Sequence, residues 1–166
     1  MQIAIIATGG TFDKEYNEID GSLYFRESHI QEMLKMGRCR VPVRIQVVMM
    51  KDSLEMDDSD RLTILEACRS APESRIMITH GTDTMEHTAR FLAERIKDKA
   101  IVLTGAMIPC AFGSSDGLFN FGSALSFAQV LPPGVFIAMN GCLFESSDVY
   151  KDKKLGIFRK RGDQGT

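Results

Sequence analysis

The sequence predicts an α/β fold, in which one domain is built on a doubly wound, mostly parallel sheet. Short apolar runs alternate with helical patterns along all 166 residues, and this alternation is typical of a parallel sheet covered by helices on both faces. No repeat, low-complexity tract or long flexible linker interrupts the pattern, and a chain of this length fits one compact domain. We therefore expect residues 1–166 to form a single domain, with no second domain.

Five apolar runs are the strand candidates. They span residues 2–8, 41–50, 75–80, 100–105 and 134–140. Five strands are enough for a sheet of the flavodoxin type.

Four helices are predicted from apolar residues that recur at helical spacing. They fall near residues 30–34, 57–68, 85–96 and 117–131. The second helix opens on Asp57, Asp58 and Asp60, and acidic side chains stabilise the first turn of a helix. The fourth is ended by the Pro-Pro-Gly run at 132–134.

The composition favours a soluble protein with a small-molecule partner. A formal charge of -2 gives no general attraction to nucleic acid or to an acidic membrane. No apolar run approaches the ~20 residues of a membrane-spanning helix. The apolar N-terminus at 1–6 lacks the basic region of a signal peptide, so we expect a cytoplasmic protein.

Neither the cysteines nor the glycines indicate a cofactor. The four cysteines lie 29, 42 and 32 residues apart, which is not metal-ligand spacing, so we expect reduced, mostly buried thiols. The glycine pair Gly9-Gly10 lacks both the Lys-Ser/Thr of a P-loop and the GxGxxG of a dinucleotide fold. We therefore expect no metal and no cofactor.

Three polar segments follow strand candidates, at residues 8–11, 80–84 and 104–107. In an open parallel sheet, ligands bind in the crevice outside the carboxyl ends of the strands. These segments are therefore expected to converge on one site.

Two threonines and a charged pair are the candidate reactive groups at this site. Thr11 and Thr82 could each act as a nucleophile or orient water, but a hydroxyl needs a group that takes its proton. Burial lowers the pKa of a lysine while a nearby carboxylate raises it, so an Asp83–Lys151 pair suits proton transfer.

Two alternatives stay open from the residues alone. Asp83 can instead cap the helix that follows, with Glu86 three positions beyond it. His80 is a rival base, although a histidine at the end of an apolar strand is more often packed and hydrogen-bonded.

Four ordered motifs resemble the bacterial-type asparaginase and glutaminase family. They are ATGGTF at 7–12, ITHGTDTMEHTARFL at 78–92, LTGAMIP at 103–109 and SSDGLFNF at 114–121. The similarity continues through MNGCLFESSDVYK at 139–151, and so it spans residues 2–151.

The resemblance implies an L-asparaginase in which Thr11 forms a transient acyl-enzyme. Water activated through Thr82, Asp83 and Lys151 would then release aspartate. The backbone around Gly10 and Gly81, near Thr82, would hold the oxyanion. Two other function classes remain open: a catalytically silent module that binds asparagine or aspartate, and a partner-dependent amidase that supplies ammonia.

Further residues are implied at the substrate. The family places a mobile-loop tyrosine beside the nucleophile, and Tyr16 is preferred over Tyr24 because its tether to Thr11 is shorter. Ser53 matches the serine that contacts the substrate α-carboxylate. The substrate amino group needs a negative charge, which Glu55 or an acid of the loop Asp13, Glu15, Glu18 and Asp20 could supply, although helix capping or solvation is the more usual role of each.

Family members commonly have a smaller C-terminal domain, and we expect this chain to be a short form without it. Surfaces that such a domain covers would then meet solvent or another copy. We therefore expect a symmetric homo-oligomer, most simply a homodimer.

Overall fold

The computed structural model describes residues 1–163. Its strands, in chain order, are β1 (Ile3–Gly9), β2 (Lys14–Tyr16), β3 (Leu23–Phe25), β4 (Val43–Lys51), β5 (Arg75–Thr79), β6 (Ala100–Thr104), β7 (Gly134–Met139), β8 (Cys142–Glu145), β9 (Tyr150–Asp152) and β10 (Ile157–Arg159). Its α-helices are α1 (Ile30–Met36), α2 (Asp58–Ser70), α3 (Met85–Arg95) and α4 (Gly117–Val130). All five predicted strands and all four predicted helices are present, with ends shifted by a few residues.

The central sheet has six strands in the order β4-β1-β5-β6-β7-β8. The first five are parallel and follow the flavodoxin order, which confirms the predicted fold class. The prediction of five strands is short by one, because β8 returns antiparallel beside β7. Asn140 and Gly141 form the two-residue turn with φ of 56° and 77°, as a type I′ hairpin requires.

Helices cover both faces of the sheet. Successive residues of a strand point to opposite faces, and in β1 Ile5 faces one apolar cluster while Ile6 faces the other. The cluster around Ile6 includes residues from α2 and α3, and the cluster around Ile5 includes residues from α1 and α4. The sheet is therefore buried on both sides, and polar side chains collect at the ends of its strands.

The cysteines differ from expectation. All four thiols are free, but only Cys68 is buried; Cys39 and Cys110 are half-buried and Cys142 is exposed. Cys142 lies on β8, the edge strand of the sheet. Burial raises the pKa of the Cys68 thiol to about 12, so this thiol stays protonated.

Within residues 1–163, no helix is long and apolar enough to cross a membrane. The same part of the chain contains no group of three or more His, Cys, Asp or Glu side chains placed to hold a metal ion.

Candidate active site

Glycines bring the loops after β1, β4 and β5 into direct contact. Gly10 has φ of 82°, and a Cβ placed on it would lie 2.3 Å from the backbone nitrogen of Gly81. A Cβ on Gly81 would in turn lie 2.5 Å from Oγ of Ser53. Any larger residue at either glycine would force the loops apart.

Thr11 and Thr82 each follow one glycine of the touching pair. Thr82 is buried, with 4% of its surface exposed, whereas Thr11 is half-buried at the start of a 3-10 turn. No hydrogen bond within the described part of the chain involves the Thr11 hydroxyl, which is therefore free to meet a ligand.

Lys151 joins the two polar groups that follow Gly81. Its Nζ donates to Oγ1 of Thr82 at 2.7 Å and to Oδ1 of Asp83 at 2.8 Å. Lys151 lies on β9, in a hairpin with β10, opposite Phe158. Because Phe158 is buried in the core, the hairpin is anchored and the lysine side chain is only 9% exposed.

The alternative that Asp83 caps the following helix is wrong. The N-cap residue of α3 is Thr84, and no side chain makes the capping hydrogen bond. The Thr84 hydroxyl donates instead to the carbonyl of Ser53 at 2.9 Å, which ties the loops after β4 and β5 together. The Asp83 carboxylate is thus left to Lys151.

The surroundings of His80 indicate a structural role and not that of a general base. It is fully buried, and burial lowers its pKa to about 4. Its Nε2 is 2.9 Å from Oγ1 of Thr88 on α3, and its Nδ1 is 2.8 Å from the carbonyl oxygen of Gly81. Both nitrogens are occupied, so the ring has no free lone pair for a substrate.

The two candidate tyrosines lie on opposite faces of the β2–β3 hairpin. Tyr16 is 52% exposed and packs edge-on against Phe112, with ring centroids 6.4 Å apart. Tyr24 is 39% exposed, and its hydroxyl donates to Glu15 at 3.1 Å. Neither side chain has a hydrogen bond to Thr11 in residues 1–163.

The candidate substrate-binding residues differ in accessibility. Ser53 is 1% exposed, and its Oγ is buried without a hydrogen-bond partner in the described residues. Glu55 is exposed at the end of the 3-10 turn Ser53–Glu55. The Gly10 N–H is already donated to the carbonyl of Lys51 at 3.0 Å, so this amide is not available to an oxyanion.

The acidic loop offers fewer free carboxylates than its sequence indicates. Asp13 is fully buried and accepts the backbone N–H of His29 at 2.8 Å. Burial raises its pKa, although hydrogen bonds from His29 and Ser28 oppose this. Asp20 bonds to Ser22 within its own turn. Glu18 is exposed.

An ion pair that the sequence did not indicate adjoins the site. Lys14, at the start of β2, pairs with Asp52 directly before Ser53. Partial burial raises the pKa of Asp52, but the hydrogen bonds from Lys14 and from the Leu54 N–H outweigh it, so the pKa is lowered. The pair connects the hairpin that carries Tyr16 to the loop that carries Ser53.

Asn120, on α4, is a further residue that sequence reasoning missed. It is fully buried, and its Nδ2 donates to the carbonyl of Gly105 at 2.9 Å and to Asp116 at 2.8 Å. Its Oδ1 accepts the N–H of Asn140 at 2.9 Å. Asn120 therefore holds the loops after β6 and β7 together behind the site. Its place in the SSDGLFNF motif was the available signal.

We expect Asn120→Ala to lower the free energy of unfolding by about 1–3 kcal/mol, because the buried Gly105 carbonyl loses its partner. Urea denaturation followed by circular dichroism measures the change. Ser123→Ala is the matched control, since within residues 1–163 its hydroxyl bonds only to Phe119, on the exposed side of the same helix. The control should change stability by less than about 0.5 kcal/mol. An equal, small effect of both substitutions would contradict the role of Asn120.

Comparison with known proteins identifies the family. The family model "Asparaginase, N-terminal" matches residues 2–157. An L-asparaginase of Thermococcus kodakarensis is 29% identical over 165 residues, which are 95% of this chain and 49% of the relative. L-asparaginase 2 of Escherichia coli is 32% identical over 159 residues, or 90% of this chain and 46% of the relative. The chain thus spans about half the length of the curated relatives it matches.

Solved structures of asparaginases have a similar fold. The thermostable L-asparaginase from Thermococcus kodakarensis superposes with a TM-score of 0.85 at 28% identity, covering 96% of this chain and 51% of that one. A probable cytoplasmic L-asparaginase from Campylobacter jejuni gives a TM-score of 0.84 at 30% identity, covering 99% of this chain and 54% of that one.

Proposed function

The chain belongs to the asparaginase family, and from that membership we propose that it hydrolyses L-asparagine to L-aspartate and ammonia through an acyl-enzyme on Thr11. The observation that carries the proposal is the pair of hydrogen bonds from Lys151 to Thr82 and Asp83. A buried lysine that contacts both a hydroxyl and a carboxylate can accept a proton as the amine and return it as the ammonium at short range. A lysine that contributed only to solubility would be exposed to solvent, whereas the side chain of Lys151 is only 9% exposed.

In the first step, the Thr11 oxygen attacks the side-chain amide carbon of asparagine. The hydroxyl proton leaves Thr11 and a proton reaches the amide nitrogen, so that ammonia departs and an aspartyl ester remains on Thr11. In the second step, a water molecule adds to the ester carbon. Its proton returns to the Thr11 oxygen as the ester bond breaks, and aspartate is released.

Thr82, Asp83 and Lys151 assist this chemistry as one unit. The Thr82 hydroxyl orients the attacking water, and Lys151 accepts and returns the proton. The carboxylate of Asp83 stabilises the ammonium form of the lysine while the proton is held there.

Backbone N–H groups stabilise the oxyanion that forms in both steps. The N–H of Thr82 has no acceptor among residues 1–163, in contrast to that of Gly10. A donor of this kind contributes several kcal/mol to the transition state when it points at the developing charge. We therefore assign the main oxyanion contact to Thr82.

The remaining predicted contacts complete the proposal. Ser53 is assigned to the substrate α-carboxylate, and its unpartnered Oγ supports this, although the group must become accessible when substrate binds. Glu55 is assigned to the α-amino group because it is exposed next to Ser53. Tyr16 is assigned to the position beside Thr11. The homodimer and the cytoplasmic location stay predictions.

A coupled assay of ammonia release tests the function. We expect the purified chain to release ammonia from L-asparagine, and the same assay on L-glutamine and on the D-forms measures its substrate preference. Binding of asparagine by calorimetry with no ammonia, even at high enzyme concentration, would instead support the silent binding module. Turnover that appears only when a second protein is added would support the partner-dependent amidase.

A further inference from the structure

His80 has no step in the proposed chemistry, yet it lies at the centre of the packed loops. It follows β5 directly, and its backbone N–H donates to Thr104 at 2.9 Å. A Cβ on Gly105 would lie 2.4 Å from the His80 carbonyl oxygen. The residue therefore links the loops after β5 and β6 and cannot move without displacing them.

The hydrogen bonds of the ring determine its tautomer. A carbonyl oxygen only accepts, so the Nδ1 that lies 2.8 Å from the Gly81 oxygen must carry a proton. The ring is neutral at ordinary pH, because burial lowers its pKa to about 4; the hydrogen bond to Gly81 opposes this and the charge of Arg61 on α2 contributes to it. Nε2 is then bare, and it accepts the Thr88 hydroxyl at 2.9 Å.

This bond also sets the direction of the next amide. The carbonyl of Gly81 and the N–H of Thr82 belong to the same peptide group, and no cis peptide occurs in residues 1–163. In a trans peptide these two groups point in opposite directions. With its oxygen held against His80 in the interior, the peptide presents the Thr82 N–H away from the buried ring.

The flanking residues hold the same peptide from its other sides. Gly10 touches the backbone of Gly81, and Ser53 fills the space where a Gly81 side chain would stand. These contacts limit movement of the peptide but supply no polar partner for its oxygen. His80 is the side chain that supplies it.

We propose that His80 is a positioning residue, whose Nδ1–H holds the Gly81 carbonyl so that the Thr82 N–H is directed at the oxyanion of the reaction. The inference rests on the proposed amidase function. It does not make His80 a base or a nucleophile, because no ring nitrogen meets the substrate. It predicts that loss of the Nδ1 donor affects the transition state more than the bound substrate, because the oxyanion exists only in the former.

Two amide substitutions test this. In His80→Asn the side-chain N–H₂ can occupy the place of Nδ1, whereas in His80→Gln it lies nearer the place of Nε2 and leaves the Gly81 carbonyl unpaired. We expect His80→Gln to lower kcat for L-asparagine about 10–100-fold with KM changed less than about threefold. His80→Asn should stay within about fivefold of the wild-type kcat.

The possible results distinguish failure of the positioning role of His80 from failure of the proposed amidase function. If the wild type releases no ammonia, the amidase function and the inference both fail. If the wild type is active and His80→Gln keeps the wild-type kcat, whether or not its KM is raised, only the positioning role fails. Should His80→Gln not fold, the ¹⁵N shifts of His80 in the wild type decide. A protonated Nδ1 and bare Nε2 between pH 5 and 8 support the inference, and any other state overturns it.

Discussion

Replacing Lys151 with methionine is expected to lower kcat for L-asparagine by about 10²–10⁴-fold, the usual contribution of a positioned acid or base. Methionine matches the length of the buried part of the chain but has no proton to transfer. The Thr82 hydroxyl and the Asp83 carboxylate would both lose their partner. Steady-state ammonia release measures the loss, and a thermal melt shows that the variant is folded.

Lys153→Met is the matched control, because Lys153 is exposed two residues away on the same hairpin. It should leave kcat within about twofold. Lys151→Ala separates the roles of charge and proton: small primary amines added to this variant should restore ammonia release in proportion to their basicity. Activity of Lys151→Met equal to that of Lys153→Met would remove Lys151 from the mechanism.

Periodicity predicted the sheet well because a buried parallel sheet leaves a strong trace in sequence. Each parallel strand is a continuous apolar run, and the helices between them have one apolar face. The sixth strand was missed although its signal was present. Asn140-Gly141 between apolar residues is a strong hairpin indicator, but the run 134–140 was predicted as the last of five strands.

The part of the site that could be predicted is the part where the sheet topology and the sequence motifs indicate the same residues. Strand ends bring the loops with Thr11 and Thr82 to one edge of the sheet, and this follows from the parallel arrangement alone. The approach of Lys151 does not follow, because it depends on a short hairpin whose anchor is one buried residue, Phe158. Residue chemistry and the resemblance both indicated that lysine as a candidate, but neither predicted the hairpin that places it.

Asn120 and the Lys14–Asp52 pair were missed for a different reason, although Asn120 lies in the SSDGLFNF motif. Each joins residues far apart in the chain through a single side chain. Such contacts have no periodicity, so neither composition nor spacing indicates them. The capping role considered for Asp83 was a reasonable local expectation, and the distant lysine overrides it because an ion pair with a buried ammonium binds the carboxylate more strongly than a backbone N–H does.

The hydroxyls of the two threonines have different surroundings, and the proposed mechanism must give each a different role. The hydroxyl that Lys151 contacts is that of Thr82, which is the geometry expected of an activated nucleophile. Thr11, the proposed nucleophile, has a free hydroxyl in a half-buried position that a substrate can reach. The proposal therefore requires that Thr82 act mainly in the second step, on water, while Thr11 receives the acyl group.

Two valine variants decide between these roles, since valine keeps the shape of threonine and removes its hydroxyl. Thr11→Val should lower kcat by at least about 10³-fold and form no covalent adduct, because the nucleophile is gone. Thr82→Val should lower turnover by about 10²–10³-fold, yet an aspartyl adduct should accumulate because its hydrolysis is slowed. Rapid acid quench with intact-mass and peptide mass spectrometry detects the adduct and locates it. An adduct on Thr82 in the Thr11→Val protein would reverse the assignment.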